Sequence, residues 1–163
     1  MEKFTGKVWL LGDDIDTDII MPTEYLVFKT IEEMKPYAFS PLRPELAAQI
    51  RPGDIIVAGS NFGCGSSREQ APEVVKALGL RCVIAKSFAR IFFRNAINNG
   101  LLLIENADLA DFVKEGEEIT VTVNEKIECR GKEFPIVSLP DNLVEIINAG
   151  GLVKAMRKRN GLD

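Results

Sequence analysis

The chain has 163 residues, 46% apolar and 27% charged, with a formal net charge of −4. These values predict one globular domain spanning 1–163, able to bury a core without disulfide staples. They exclude a disordered tail, a collagen-like rod and a disulfide scaffold, and so weak an acidic balance argues against a chain built to bind nucleic acid. Histidine is absent. No Ser-His-Asp triad, Cys-His pair or HExxH zinc site can therefore be assembled from this chain alone.

The cysteines are Cys64, Cys82 and Cys129, an odd count with no C-x-x-C pair. They read as reduced thiols, and their spacing does not support a Cys₄ iron–sulfur cluster. The polar start and the lack of any apolar run near 18 residues predict neither a signal peptide nor a membrane span. A cytoplasmic protein is the expectation.

In chain order, Val8-Trp9-Leu10-Leu11 predicts a short buried strand, followed by the acidic loop Gly12 to Asp18. An EF-hand starting at Asp13 would need glycine at its sixth position, which is Asp18, so a solvated turn is the better reading. Thr30 and Glu33 form a capping-box pattern. Residues 36–52 carry four prolines and predict irregular chain with one short helix near Glu45–Ala48. Ile55–Ala58, Cys82–Ala85 and Leu101–Ile104 are continuous apolar runs, as in strands buried on both faces. Helices are predicted over Glu69–Leu78, after a Ser87 cap, and from an Asp141 cap to Asn148. Alternating stretches from Glu118 to Val137 predict an antiparallel meander. The basic stretch Lys154 to Arg159 reads as a solvated helix end or as a docking patch for an acidic partner. Strands alternating with helices, then a meander, give an α/β domain with a mixed sheet.

The most informative segment is Gly59-Ser60-Asn61-Phe62-Gly63-Cys64-Gly65-Ser66-Ser67-Arg68-Glu69. It joins a buried strand to a helix start, where α/β sheets bind ligands. Glycines allow close backbone approach, and free N–H groups there suit an anion. A phosphate loop needs Lys where Gly65 stands, and G-x-G-x-x-G fails after Gly65. An arginine beside two hydroxyls suits the fork of a small carboxylate. The competing reading is helix capping, because Ser66 with Glu69 and Ser67 with Gln70 both match a capping box. Cys64 as a nucleophile would lack a base.

Asp16-Thr17-Asp18-Ile19-Ile20, Gly63-Cys64-Gly65-Ser66-Ser67-Arg68-Glu69 and Ala85-Lys86-Ser87-Phe88-Ala89-Arg90-Ile91 together resemble the swivelling domain of the aconitase superfamily. As a short free-standing chain, this one is similar to the family of 3-isopropylmalate dehydratase (isopropylmalate isomerase) small subunits. The resemblance implies a single swivelling β/β/α domain. It implies a hydro-lyase, active only with a large subunit, that converts 2-isopropylmalate to 3-isopropylmalate by dehydration and rehydration in leucine biosynthesis. No cofactor would sit on this chain, and a [4Fe–4S] cluster is expected in the large subunit.

By the same resemblance Ser66 is the catalytic base, and Ser67 and Arg68 hold a substrate carboxylate. Asp18 orients a histidine from the partner, with Thr17 beside it. Many relatives carry histidine where Gln70 stands, so that histidine is dispensable here if the resemblance holds. Leu26, Val27 and Phe28 would face the variable group of the substrate. Val27 stands where homoaconitase relatives place an arginine, which favours isopropylmalate, although these three residues could equally be core. Alternative readings are a homoaconitase or citramalate isomerase small subunit, or a non-catalytic carboxylate-binding domain.

Overall fold

Continuous apolar runs and alternating ones build two different halves of one sheet. The computed structural model describes residues 2–161. Its seven-stranded sheet has the order β4-β3-β2-β1-β5-β6-β7. Strands β1 (Lys3–Leu10), β2 (Ile55–Ala58), β3 (Cys82–Ala85) and β4 (Leu102–Glu105) run parallel. Strands β5 (Glu118–Thr122), β6 (Lys126–Cys129) and β7 (Lys132–Pro135) form the antiparallel meander. The expected mixed α/β sheet is what the chain forms.

Alternate residues of each parallel strand enter opposite cores. Ile56, Ala58, Val83, Ala85 and Leu103 join one cluster with Ala71, Val74 and Phe92. Ile55, Val57, Ile84 and Leu102 join the other with Ile119, Val121, Ile127 and Phe134. The meander buries one face only, which is why its sequence alternates.

The helices are α1 (Thr17–Ile20), α2 (Ile31–Met34), α3 (Leu46–Gln49), α4 (Gln70–Ala77), α5 (Arg90–Asn98), α6 (Leu109–Phe112), α7 (Asp141–Ala149) and α8 (Leu152–Arg159). Thr30 caps α2 as expected, accepting from the Glu33 N–H at 3.2 Å. No helix among the described residues is long and apolar enough to cross a membrane.

Four expectations need correction. β1 begins at Lys3 rather than Val8. Its first half, Lys3–Lys7, pairs only with β5 and has Phe4 as its single large apolar residue, so no apolar run reveals it. Neither Ser66 nor Ser67 caps α4, which starts later with Glu69 at the cap position and no side-chain cap bond. Ser87 does not cap α5, which starts after Ala89, and Asp141 lies inside α7 behind Pro140.

Candidate active site

The carboxyl ends of β1, β2 and β3 release three loops that hydrogen-bond to one another. Gly59 N donates to Gly12 O at 3.0 Å, Gly63 N to Ile15 O at 2.7 Å, and Thr17 N to Cys64 O at 2.9 Å. Asp13 Oδ1 accepts from Ser60 N at 2.7 Å. Ser87 Oγ accepts from Asn61 N at 2.8 Å, and Ser87 O accepts from Phe62 N at 3.0 Å. Ser87 thus ties two loops together instead of capping a helix. The acidic loop is the turn expected of it: Asp16 caps α1 through Ile19 N at 2.8 Å.

Two glycines are required by geometry. Gly63 has φ +84°, and a Cβ there would overlap the Phe92 ring. Gly65 has φ +95°, and a Cβ there would press on Thr17 Oγ1. This close approach keeps the backbone of the loop against α1 and α5.

The loop delivers Ser66 and Ser67 to the surface, both exposed. Among the described residues neither hydroxyl makes a hydrogen bond, and the backbone N–H groups of Gly65, Ser66 and Ser67 also donate to nothing. Successive open N–H groups beside a left-handed glycine form a concavity suited to an anion. The capping explanation for the two serines is gone, and the open donors remain.

Arg68 and Asp18, 50 positions apart, form an ion pair that local sequence patterns do not announce. Arg68 Nη1 donates to Asp18 Oδ1 at 2.5 Å and to Met21 O at 3.0 Å. Nη2 donates to Thr23 Oγ1 at 3.3 Å, which itself donates to Asp18 Oδ1 at 3.2 Å. The Arg68 side chain is 14% exposed and that of Asp18 is 65% exposed. The Arg68 hydrogen bond, then that from Thr23, holds the Asp18 carboxyl below its ordinary value. The Asp18 carboxylate therefore stays ionised at neutral pH.

Thr17 is buried at 2% exposure, and its Oγ1 has no hydrogen-bond partner. It lines a cleft of about 210 Å³ together with Ser66, Ser67, Arg68, Arg90 and Asn95. A buried hydroxyl without a partner costs roughly 1–3 kcal/mol, so such groups are uncommon away from ligand sites. Cys64 is half-buried, and burial, then the charges of Asp16 and Asp14, push its thiol pKa up. That is the wrong direction for a nucleophile.

The turn Thr23–Val27 sits beside Arg68 through Thr23. Leu26 and Phe28 pack partly against the core, and Tyr37 stacks on both Tyr25 and Phe28. Val27 is 81% exposed. The core explanation thus holds in part for Leu26 and Phe28 and fails for Val27.

These features form an open cleft lined by arginines and unbonded hydroxyls, on a domain of the aconitase type. The family model of the aconitase C-terminal domain matches residues 32–109, which contain the glycine loop and Ser87. The chain is 80% identical over 162 residues to a 3-isopropylmalate dehydratase small subunit of Lachnospira eligens, covering 99% of each. It is 45% identical to an isopropylmalate/citramalate isomerase small subunit of Methanocaldococcus jannaschii, covering 94% of each. A crystal structure of a 3-isopropylmalate dehydratase chain from Methanocaldococcus jannaschii superposes with TM-score 0.93 at 39% identity, covering 99% of this chain and 97% of that one. The chain belongs to the family of 3-isopropylmalate dehydratase small subunits.

Proposed function

We propose that this chain completes the active site of a hydro-lyase that isomerises 2-isopropylmalate to 3-isopropylmalate, a step of leucine biosynthesis in the cytoplasm. The observation that carries the reading is the pair of exposed, unbonded hydroxyls, Ser66 and Ser67, beside open N–H groups and Arg68. The reaction removes a proton from the carbon next to a carboxylate and expels the hydroxyl from the adjacent carbon, forming a double bond to which water is re-added in the opposite orientation. Ser66 takes that proton. A free serine is a poor base, so its oxyanion needs stabilisation from the open N–H groups of the loop. Ser67 and the outer edge of Arg68 hold a carboxylate of the substrate. Asp18 clamps Arg68 and presents its remaining carboxylate oxygen to a histidine of the large subunit.

The large subunit supplies what this chain lacks. Among the described residues no group of three or more His, Cys, Asp or Glu side chains is placed to hold a metal. Cys82 and Cys129 are buried in separate strands, and burial raises the Cys82 thiol to about 12. These thiols do not fit a [4Fe–4S] cluster, so the cluster is assigned to the partner. There its iron would supply Lewis acidity toward the leaving hydroxyl.

The exposed Val27 on the Thr23–Val27 turn supports an apolar substituent on the substrate rather than an additional carboxylate. A single apolar contact discriminates by only ~1–3 kcal/mol. Citramalate is therefore the second substrate to test.

The experiment is Ser66→Ala, assayed in the complex with the large subunit on both malates. We expect kcat to fall by at least ~10²-fold. Complex formation and melting temperature should be unchanged, since the Ser66 side chain bonds to nothing. Near-normal turnover would remove Ser66 from the chemistry.

A further inference from the structure

We propose that Arg90 is the cation that receives the second carboxylate of the dicarboxylate substrate. This deepens the dehydratase reading above and rests on it. Three observations carry it.

The first is a charge count in the cleft. Arg68 and Arg90 both line it. The Arg68 charge is already met by Asp18, and three of its five N–H groups are spent on Asp18, Met21 and Thr23. Arg90 is exposed, and no hydrogen bond or ion pair engages its guanidinium among the described residues. A substrate bearing two negative charges meets one neutralised arginine and one free one.

The second is the position of Arg90 on α5. It is the first helical residue, in a turn with no side-chain cap and no acidic residue. A cation at a helix N-terminus faces the positive end of the macrodipole and is disfavoured there. The described residues offer nothing to offset it. An anion bound in the cleft would meet the guanidinium and the open first-turn N–H groups together.

The third is independent of charge. Thr17, whose Oγ1 is buried without a partner, borders the same cleft, as does Asn95, whose side-chain amide is unbonded. Polar groups left unsatisfied around one concavity point to a polar ligand in it.

The test uses the assembled enzyme with Arg90→Met and Arg90→Lys. For Arg90→Met we expect KM for 2-isopropylmalate to rise at least tenfold with kcat changed far less, the pattern of lost binding common to ground and transition states. Competitive inhibition by 2-isopropylsuccinate and by its monoamides adds a readout that a structural role would not move. The wild-type complex should prefer the diacid, Arg90→Met should lose most of that preference, and Arg90→Lys should recover part of it. Unchanged KM and unchanged diacid preference in Arg90→Met would overturn the proposal. So would failure of Arg90→Met to co-elute with the large subunit, because that makes Arg90 a docking contact. If the wild-type complex does not isomerise 2-isopropylmalate, the dehydratase reading itself fails. If it does while Arg90→Met behaves like wild type, only Arg90 is rejected.

Discussion

The two halves of the sheet differ in what happens at the strand ends. In the parallel half each strand must cross over to reach its neighbour, and the crossover loops are long. Three of them meet at the carboxyl ends of β1, β2 and β3 and carry Thr17, Asp18, Ser66, Ser67, Arg68 and Arg90. In the meander the turns are tight. Arg130 and Gly131 both have positive φ and make a two-residue hairpin link between β6 and β7. Such a turn spends its residues on reversing the chain. The difference teaches that the meander buries apolar surface for the molecule, while the parallel half buries a scaffold and aims loops.

The largest expected effect breaks this division at its tightest point. Gly63→Ala would force a side chain into the Phe92 ring at a backbone conformation with φ +84°. We expect a loss of at least ~2 kcal/mol by urea denaturation, together with a fall in kcat, because the displaced loop carries Ser66. Retained stability with full turnover would show that the loop is not held where it lies.

The second sharpens the contrast from the other side. Ile127 is fully buried in β6. Ile127→Ala should cost ~2–5 kcal/mol, as large as many core changes. Yet kcat and KM of the folded fraction, measured well below the melting temperature, should stay at wild-type values. A selective change in KM would tie the meander to the site.

The smallest effect concerns the Asp18–Arg68 pair. The Asp18 carboxyl is held below its ordinary value, first by the Arg68 hydrogen bond. Its contribution is therefore present above the unfolded carboxylate range, near pH ~3.9. It is lost as pH falls through the lowered folded value. Asp18→Asn should lower the melting temperature slightly at neutral pH, and the gap should close in strong acid. Because Asp18 is exposed, the gap is small. A gap that persists in acid would show that charge is not its source.

Strands β2, β3 and β4 were legible because burial on both faces leaves unbroken apolar runs such as Ile55–Ala58. The first half of β1 was not, because Lys3–Lys7 pairs with β5 alone and its exposed Lys3, Thr5 and Lys7 break up any apolar run. Three serines fail as helix caps for one reason. Ser66, Ser67 and Ser87 stand where caps would stand, but the last is used to join loops and the first two are left open. Capping rules describe a helix by itself and cannot see a neighbouring loop. The ion pair between Asp18 and Arg68 and the free state of Arg90 were likewise invisible. Arg90 was part of the resemblance, yet only the cleft and its lack of partners set it apart from other surface arginines.

Strand β1 serves two neighbours in succession. Lys3 to Lys7 face β5 on one edge, and Val8 to Leu10 face β2 on the other. A slip of one position along a strand swaps its inward and outward sides. Here such a slip would strike both neighbours at once. A residue inserted within Lys3–Leu10 would disturb the hairpins and the loops at the parallel strand ends together, whereas one added at the tip of a hairpin would be absorbed locally. Length variation among functional versions of this chain should therefore collect at the hairpin tips and spare this one ribbon.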